Sequence, residues 1–270
     1  MIFGDVLFII LMTVFYSSPV HAQTALQIFD GAIHQFEQRQ RSLHPWQYYQ
    51  TLVTRQYDDK GNVIGKGIWR ALVRPGAQPP IEYIAGSTEG ELTLFDKPAK
   101  SKASTDSSGS SQRTVAEKEL HEESSRPESV VEAVNKYHLR DRYYWKRLPD
   151  ARVIGETAYV LSFTPKENQT QTSGREARFF SLLAGKLWIS KHDHSILKAE
   201  AALQAPMSLL WIVARITHLE FTWEIIPTRA NPLLRRSHGE SSLTIELPFK
   251  TVRQKHQLTV DKYERRPARK

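Results

Sequence analysis

From Trp46 onward, apolar and polar residues alternate with a period of two, while only two short stretches carry a helical period. The first helical stretch opens at Thr24, followed three residues later by Gln27, the spacing of a capping box. Leu26, Phe29, Ile33 and Phe36 then recur on one face as far as about Ser42, which predicts an amphipathic helix over 24–42. Trp46 to Tyr57 and Val63 to Val73 are rich in β-branched and aromatic residues and flank the turn cluster Asp58-Asp59-Lys60-Gly61-Asn62, so they read as a hairpin. Short runs at Ile81 to Ala85 and Glu91 to Asp96 extend the meander, with Gly86-Ser87-Thr88-Glu89-Gly90 read as a turn. Pro127-Glu128 opens a second helix over 127–138, with Val130, Val131, Val134 and Tyr137 on one face.

The later strands are the clearest. Tyr159, Leu161 and Phe163 alternate with smaller residues. Lys186 to Ser190 and Ile196 to Leu203 flank a turn at Lys191-His192-Asp193-His194, and Leu197, Ala199, Ala201 and Leu203 oppose Lys198 and Glu200. Leu219, Phe221, Trp223 and Ile225 alternate with Glu220, Thr222 and Glu224, and Leu243, Ile245, Leu247 and Phe249 with Thr244 and Glu246. One apolar and one polar face per strand is the pattern of an antiparallel sheet with one side in water. About nine to eleven such strands with so few helices predict a mainly β (α+β) fold: a sheet curled into an incomplete barrel, its concave face plugged by one or two helices.

The ends and the middle differ from this pattern. Val6 to Tyr16 is an apolar run broken only by Thr13, and small residues lead to Val20-His21-Ala22, which reads as a secretory signal cleaved after Ala22. The run is roughly half the length a spanning helix needs, although an uncleaved inner-membrane anchor is the alternative. Residues 97–128 hold eight Ser among 32 residues and six charges of each sign, with almost nothing to bury, and are expected to form a disordered loop inside a single domain over 23–270.

Composition narrows the chemistry. The chain has no cysteine, which excludes disulfides and thiol chemistry. Loss of the signal removes one charged side chain, Asp5, so 37 basic residues face 28 acidic ones and the net charge moves from +8 to +9. For an exported protein such a surplus favours an anionic membrane surface over nucleic acid. Arg235-Arg236, Lys250 to Arg253 and the tail from Tyr263 to Lys270 are the basic segments read as candidates for that contact. His192-Asp193-His194 has metal-ligand residue types but sits in a predicted turn, and no third ligand has suitable spacing, so no metal and no cofactor are expected. No Gly-x-Ser-x-Gly elbow occurs, Gly65-Lys66-Gly67 lacks the spacing of a phosphate loop, and no enzymatic site emerges. The run Pro206 to Ile216 is too short to span a membrane and reads as a buried strand or a cavity mouth.

The strings Tyr159-Val160-Leu161-Ser162-Phe163-Thr164-Pro165-Lys166, Leu183 to Lys191, Ile196-Leu197-Lys198-Ala199-Glu200 and Ile226-Pro227-Thr228-Arg229 resemble a group of bacterial exported proteins similar to outer-membrane lipoprotein-sorting proteins and the periplasmic lipoprotein carrier. The resemblance is densest over residues 140–265. It implies an incomplete antiparallel barrel closed by helices, with an apolar concave cavity that holds acyl chains in better-understood relatives. No motif here places the arginine on which the carrier relies to hold its cargo. The lipid-contact residues expected from the apolar phase are Tyr159, Leu161, Phe163, Leu197, Leu203, Phe221, Trp223, Ile225, Leu243, Ile245 and Leu247. Their partner would be the acyl chain of a lipid or lipoprotein; the alternative is an envelope scaffold or stress sensor that uses the same sheet to bind a protein.

Overall fold

The structure is a computed structural model that describes residues 23–77, 80–93, 130–167, 175–210, 214–226 and 234–267. The proposed signal at 1–22 and the whole Ser-rich segment at 97–128 lie outside the described residues. Helix α1 (Ala25–Ser42) begins as its sequence dictates: the Thr24 side chain accepts from the Gln27 backbone N–H while the Gln27 side chain accepts from that of Thr24. These two bonds satisfy donors that an uncapped helix leaves open. The helix stops at Leu43, ahead of Pro45.

Strands β1 (Trp46–Tyr57), β2 (Val63–Val73) and β3 (Ile81–Gly90) follow, then the short helices α2 (Val130–Lys136) and α3 (Leu139–Arg142). β4 (Tyr143–Val153), β5 (Glu156–Pro165), helix α4 (Arg175–Phe180), β6 (Leu183–Ser190) and β7 (Ile196–Leu203) come next. The chain ends with β8 (Met207–Leu210), β9 (Ala214–Ile226), β10 (Arg236–Leu247) and β11 (Lys250–Arg265). All eleven strands belong to one antiparallel sheet in the order β3-β2-β1-β11-β10-β9-β7-β6-β5-β4, with β8 paired to β9. The sheet does not close, because β3 and β4 stand at opposite edges. It is the open antiparallel half-barrel with short helices that the alternation predicts.

Several expectations are corrected in detail. Gly86 to Gly90 is the second half of β3, in register with β2 from Gly65 to Trp69, rather than a turn. β4 is a full strand that the pattern does not announce. It carries Pro149, which an edge strand tolerates where the register slips between Leu148 and Ala151. Its hairpin to β5 turns on Ile154 (φ 52°) and Gly155 (φ 82°). Two consecutive positive φ angles are what a two-residue hairpin turn requires, here with Ile where Asn or Asp is usual. β10 ends at Leu247, so Phe249 lies in the turn at the hairpin tip, fully exposed, instead of continuing the apolar face. The basic C-terminus is a strand rather than a tail as far as Arg265, and the Arg266 guanidinium donates to the Pro75 carbonyl.

α1 packs over β4 and β5 and against α2. Ile28, Phe29, Ala32 and Ile33 meet Val134 of α2 and Leu161 and Ile189 of the sheet in one buried cluster, and the Phe29 and Trp145 rings lie 4.2 Å apart. Behind the helices, Arg142 is 2% exposed and donates to the carbonyls of Tyr137 and Ala177, tying α2, α3 and α4 together.

Candidate functional site

Residues directly opposite on neighbouring strands share a face, so the register defines the helix-covered side of the sheet. Leu161 faces Leu187, Leu187 faces Ala199, Ala199 faces Trp223, and Trp223 faces Gly239. The adjacent row runs Phe163, Gly185, Ala201, Phe221 and Ser241. Ile225 faces Ser237, and Leu243 faces Leu219. Leu203 pairs with Leu183, and Leu197 is fully buried where the β6–β7 register slips. Ten of the eleven residues singled out from the sequence therefore lie on one face, in three groups, while Leu197 sits in the β6–β7 irregularity and belongs to none of them.

Tyr159 and Leu161 belong to the cluster sealed by α1, and the Phe163 ring packs against Tyr143 and Trp145. Leu203, Leu243, Ile245 and Leu247 belong to a second cluster with Ala214 and Ile216. Between the two, Phe221, Trp223 and Ile225 stay half-buried. The floor around them is built of small residues: Ala199 and Ala201 on one side, Gly239 and Ser241 on the other. Small side chains here leave a trough where large ones would fill the concavity.

At the α1 end of this trough is a pocket of about 110 Å³. Its floor is the cross-strand row Ile225, Ser237, Val260 and Gln50. Its roof is the last half of α1 with the residue that ends it: Phe36, Arg39 and Leu43 line the cavity. Tyr48, Tyr263 and Trp223 complete the walls. The Tyr263 hydroxyl donates to the Arg235 carbonyl at 2.9 Å, and burial together with neighbouring Tyr48 pushes its pKa up to about 12. Both phenols are therefore neutral donors at physiological pH.

Among the described residues that line this pocket are two guanidinium groups, Arg39 and Arg235. Arg235, 6% exposed, donates to Asp193 Oδ2 at 2.7 Å and to Ser195 Oγ at 2.6 Å. Burial works to raise the Asp193 carboxyl, but hydrogen bonds from Ser195 and the Arg235 charge outweigh it and hold it below the usual carboxylate range. The turn reading of His192-Asp193-His194 thus gains a partner that sequence reasoning missed: Asp193 is the counter-ion of a buried arginine. Arg235 in turn is not a surface contact for headgroups, as its neighbour Arg236 could be. Desolvation, and then the nearby Arg235 charge, lower the Arg39 pKa to about 10, so it stays cationic at neutral pH. Trp223 adds an indole N–H that is buried and has no acceptor. Among the described residues, no group of three or more His, Asp or Glu is placed to hold a metal ion.

A polar seam continues the concave face between β1 and β11. Gln254 Nε2 donates to Gln56 Oε1 at 3.0 Å, Gln56 Nε2 donates to Thr93 Oγ1, and Thr54 Oγ1 is hydrogen-bonded to His256 Nδ1 at 2.9 Å. Nearby on β2, the Trp69 ring lies across Gly67, where a Cβ would come within 2.0 Å of it. Only glycine admits that close approach, and the ring fills the space.

No protein family's sequence model matches this chain, and no curated protein matches it. Solved structures similar to it include a DUF1329 family protein from Desulfovibrio piger, 13% identical with a TM-score of 0.38, matched over 92% of this chain and 96% of that one. A LolA superfamily protein from Nitrosomonas europaea is 12% identical with a TM-score of 0.31, again over 92% of this chain and 96% of the other. A chain of the Pseudomonas aeruginosa MucA/MucB complex is 11% identical with a TM-score of 0.25, over 88% of this chain and 100% of that one.

Proposed function

We propose that this is a non-catalytic binding protein of the bacterial cell envelope, which holds the acyl chain of a lipid or lipoprotein against the concave face of its sheet. The observation that carries this reading is the trough at the centre of that face. Phe221, Trp223 and Ile225 stand half-buried beside Ala199, Ala201, Gly239 and Ser241, and the trough runs into a pocket under α1. Apolar area removed from water at about 25 cal/mol per Å² is the driving force such a surface offers. A pocket of about 110 Å³ is well below the roughly 300–1,000 Å³ of a typical ligand site. In this reading, the chain enters by displacing part of α1, whose fully buried anchors number only four. Export rests on the apolar run before Ala22, and the mature protein should begin at Gln23 when the envelope fraction is sequenced from its N-terminus. Among the described residues no helix is long and apolar enough to cross a membrane.

A second reading, a scaffold that binds a protein partner, draws on the sheet edge. β3 is exposed along nearly its whole length, with Tyr83 55% and Ile84 43% accessible. A strand edge of this kind can accept a strand from another chain.

Filling the trough separates the two readings. Ala201→Trp should keep the protein folded and abolish binding of a fluorescent fatty-acyl probe, while binding along β3 would be untouched. If the parent protein binds no such probe and Ala201→Trp is destabilised by about 1–3 kcal/mol, as an overpacked core would be, the acyl reading is wrong.

A further inference from the structure

Hairpin turns favour small or polar residues, which tolerate tight backbone geometry and face water without penalty. The turn between β10 and β11 departs from that rule. Leu247 pairs with Lys250, which leaves Pro248 and Phe249 alone at the tip. Exposed apolar side chains are ordinary on protein surfaces, but Phe249 is extreme. Six other large apolar residues among those described are exposed at 42–61%, so each is still partly covered, whereas Phe249 is 101% exposed. The fold gains nothing from this ring.

Two observations point to what covers it. The first is continuity: Leu247, Ile245 and Leu243 follow the tip at alternate positions of β10 and belong to the second apolar cluster. Leu243 faces Leu219, and the next row inward joins Phe221 to Ser241. An apolar strip thus leads from the tip to the trough. The second is charge: Lys250 is ion-paired with Glu91 and Arg253 with Asp59, while Arg215 stands opposite Glu246 across β9 and β10. The segment Lys250 to Arg253, read from the sequence as a headgroup contact, therefore has carboxylates of its own. An apolar ring among matched charges is drawn to the acyl boundary of a bilayer rather than to its headgroup charge. A bilayer, unlike a protein pocket, is also the source of the acyl chain to which the strip leads.

We infer that the β10–β11 hairpin is the bilayer-docking end of the molecule: Phe249 enters the acyl boundary, and an acyl chain passes from there along Leu247, Ile245 and Leu243 to the trough at Phe221. The passage rests on the acyl-binding reading; the docking does not. A single inserted ring makes the contact weak and brief, which suits a protein that must leave the membrane again.

The chain's lack of cysteine allows one to be introduced for labelling. Pro248→Cys, carrying the environment-sensitive dye nitrobenzoxadiazole, is mixed with vesicles of phosphatidylcholine, alone or with phosphatidylglycerol. The dye emission should rise with both vesicle types and at both low and high salt. The same dye on Ile226→Cys, at the far end of β9, should not respond. Phe249→Ser should weaken the vesicle partition about tenfold, the factor that burial of one Phe side chain supplies, and Phe249→Trp should retain it. Flotation of the unlabelled proteins with the vesicles is the independent readout. Because Phe249 is fully exposed, the Ser variant should keep the parent's denaturant midpoint and its affinity for a free fluorescent acyl probe. It should slow transfer of that probe from vesicles to protein about tenfold. No response of the parent to either vesicle would overturn the proposal and leave Phe249 to a pocket on a protein partner. A response confined to anionic vesicles and lost at high salt, or one unchanged in Phe249→Ser, would overturn it as well. Docking that depends on Phe249 in a protein that binds no acyl probe would uphold the docking site and refute the acyl reading, and probe binding without docking would do the reverse.

Discussion

The two halves of the concave face are built on different principles. Over β4 to β6, α1 presses Ile28, Phe29, Ala32 and Ile33 onto Leu161 and Ile189, and the interface is apolar and sealed. Over β9, β10, β11 and β1, the same face carries Arg235, Ser237, Gln50, His256 and Gln254, with Gln254 Oε1 and Trp223 Nε1 left without partners. The first half is what a folding core requires. The second carries orphaned and charged groups that a purely structural face would shed, since each buried polar group without a partner works against folding. The contrast concentrates stability under the front of α1 and leaves the region under its back as the place for the proposed ligand.

Substitutions can break this division. The largest effect belongs to the sealed half: Leu161→Ala, at 0% exposure, should cost about 2–5 kcal/mol in chemical denaturation, with acyl-probe affinity little changed in the folded fraction. Next is Asp193→Ala, which leaves Arg235 buried without its carboxylate. Breaking a buried pair costs about 3–5 kcal/mol, and the lower end applies because the Asp193 side chain is 28% exposed. The pair also contributes to the acid limb of stability. The Asp193 carboxyl is held below 3.8 in the folded state, so its contribution is complete above the unfolded value and is lost as pH falls through the folded one. Asp193→Asn should therefore flatten stability between about pH 5 and 3 relative to the parent.

A smaller pH effect should come from His256. Burial lowers its pKa below 6.5, so the folded state favours the neutral ring. Its contribution is full above about pH 6.5 and declines as pH drops toward the folded value. Denaturation curves at pH 7.5 and 5.5 should differ less in His256→Gln than in the parent. The smallest effect is expected at the entrance of α1. Thr24→Ala removes the cap and should cost about 0.5–2 kcal/mol, with denaturant midpoints the direct check. If α1 is the element that yields to ligand, the same change should also speed acyl-probe association in stopped flow.

Much of the sheet could be read directly because its strands alternate. β5, β9 and β10 each show their phase in three or four apolar residues, and Thr24 with Gln27 announces the start of α1. β4 was missed because Pro149 and the slipped register between Leu148 and Ala151 break its period, which a strand with one free edge tolerates. The helix α4 was missed because six residues carry too few turns to show a period. The candidate lipid-contact residues other than Leu197 fall on one face because a period of two places alternate residues on the same side. Their division into sealed, clustered and half-exposed groups depends on where α1 lies, which no strand encodes. The pocket was equally hidden. Arg39, Asp193, Trp223 and Arg235 sit on separate elements, and Arg235 next to Arg236 looks like surface charge until β10 turns one inward and the other out.

The central claim, that the concave face carries an acyl ligand, is tested most directly by native mass spectrometry of the full chain purified from the envelope fraction of expressing cells without organic solvent. The account predicts a mature species starting at Gln23 accompanied by a second peak heavier by the mass of one lipid, and loss of that second peak in Ala201→Trp. A single bare peak, unchanged after incubation with fatty acid or lysophosphatidic acid vesicles, would contradict it.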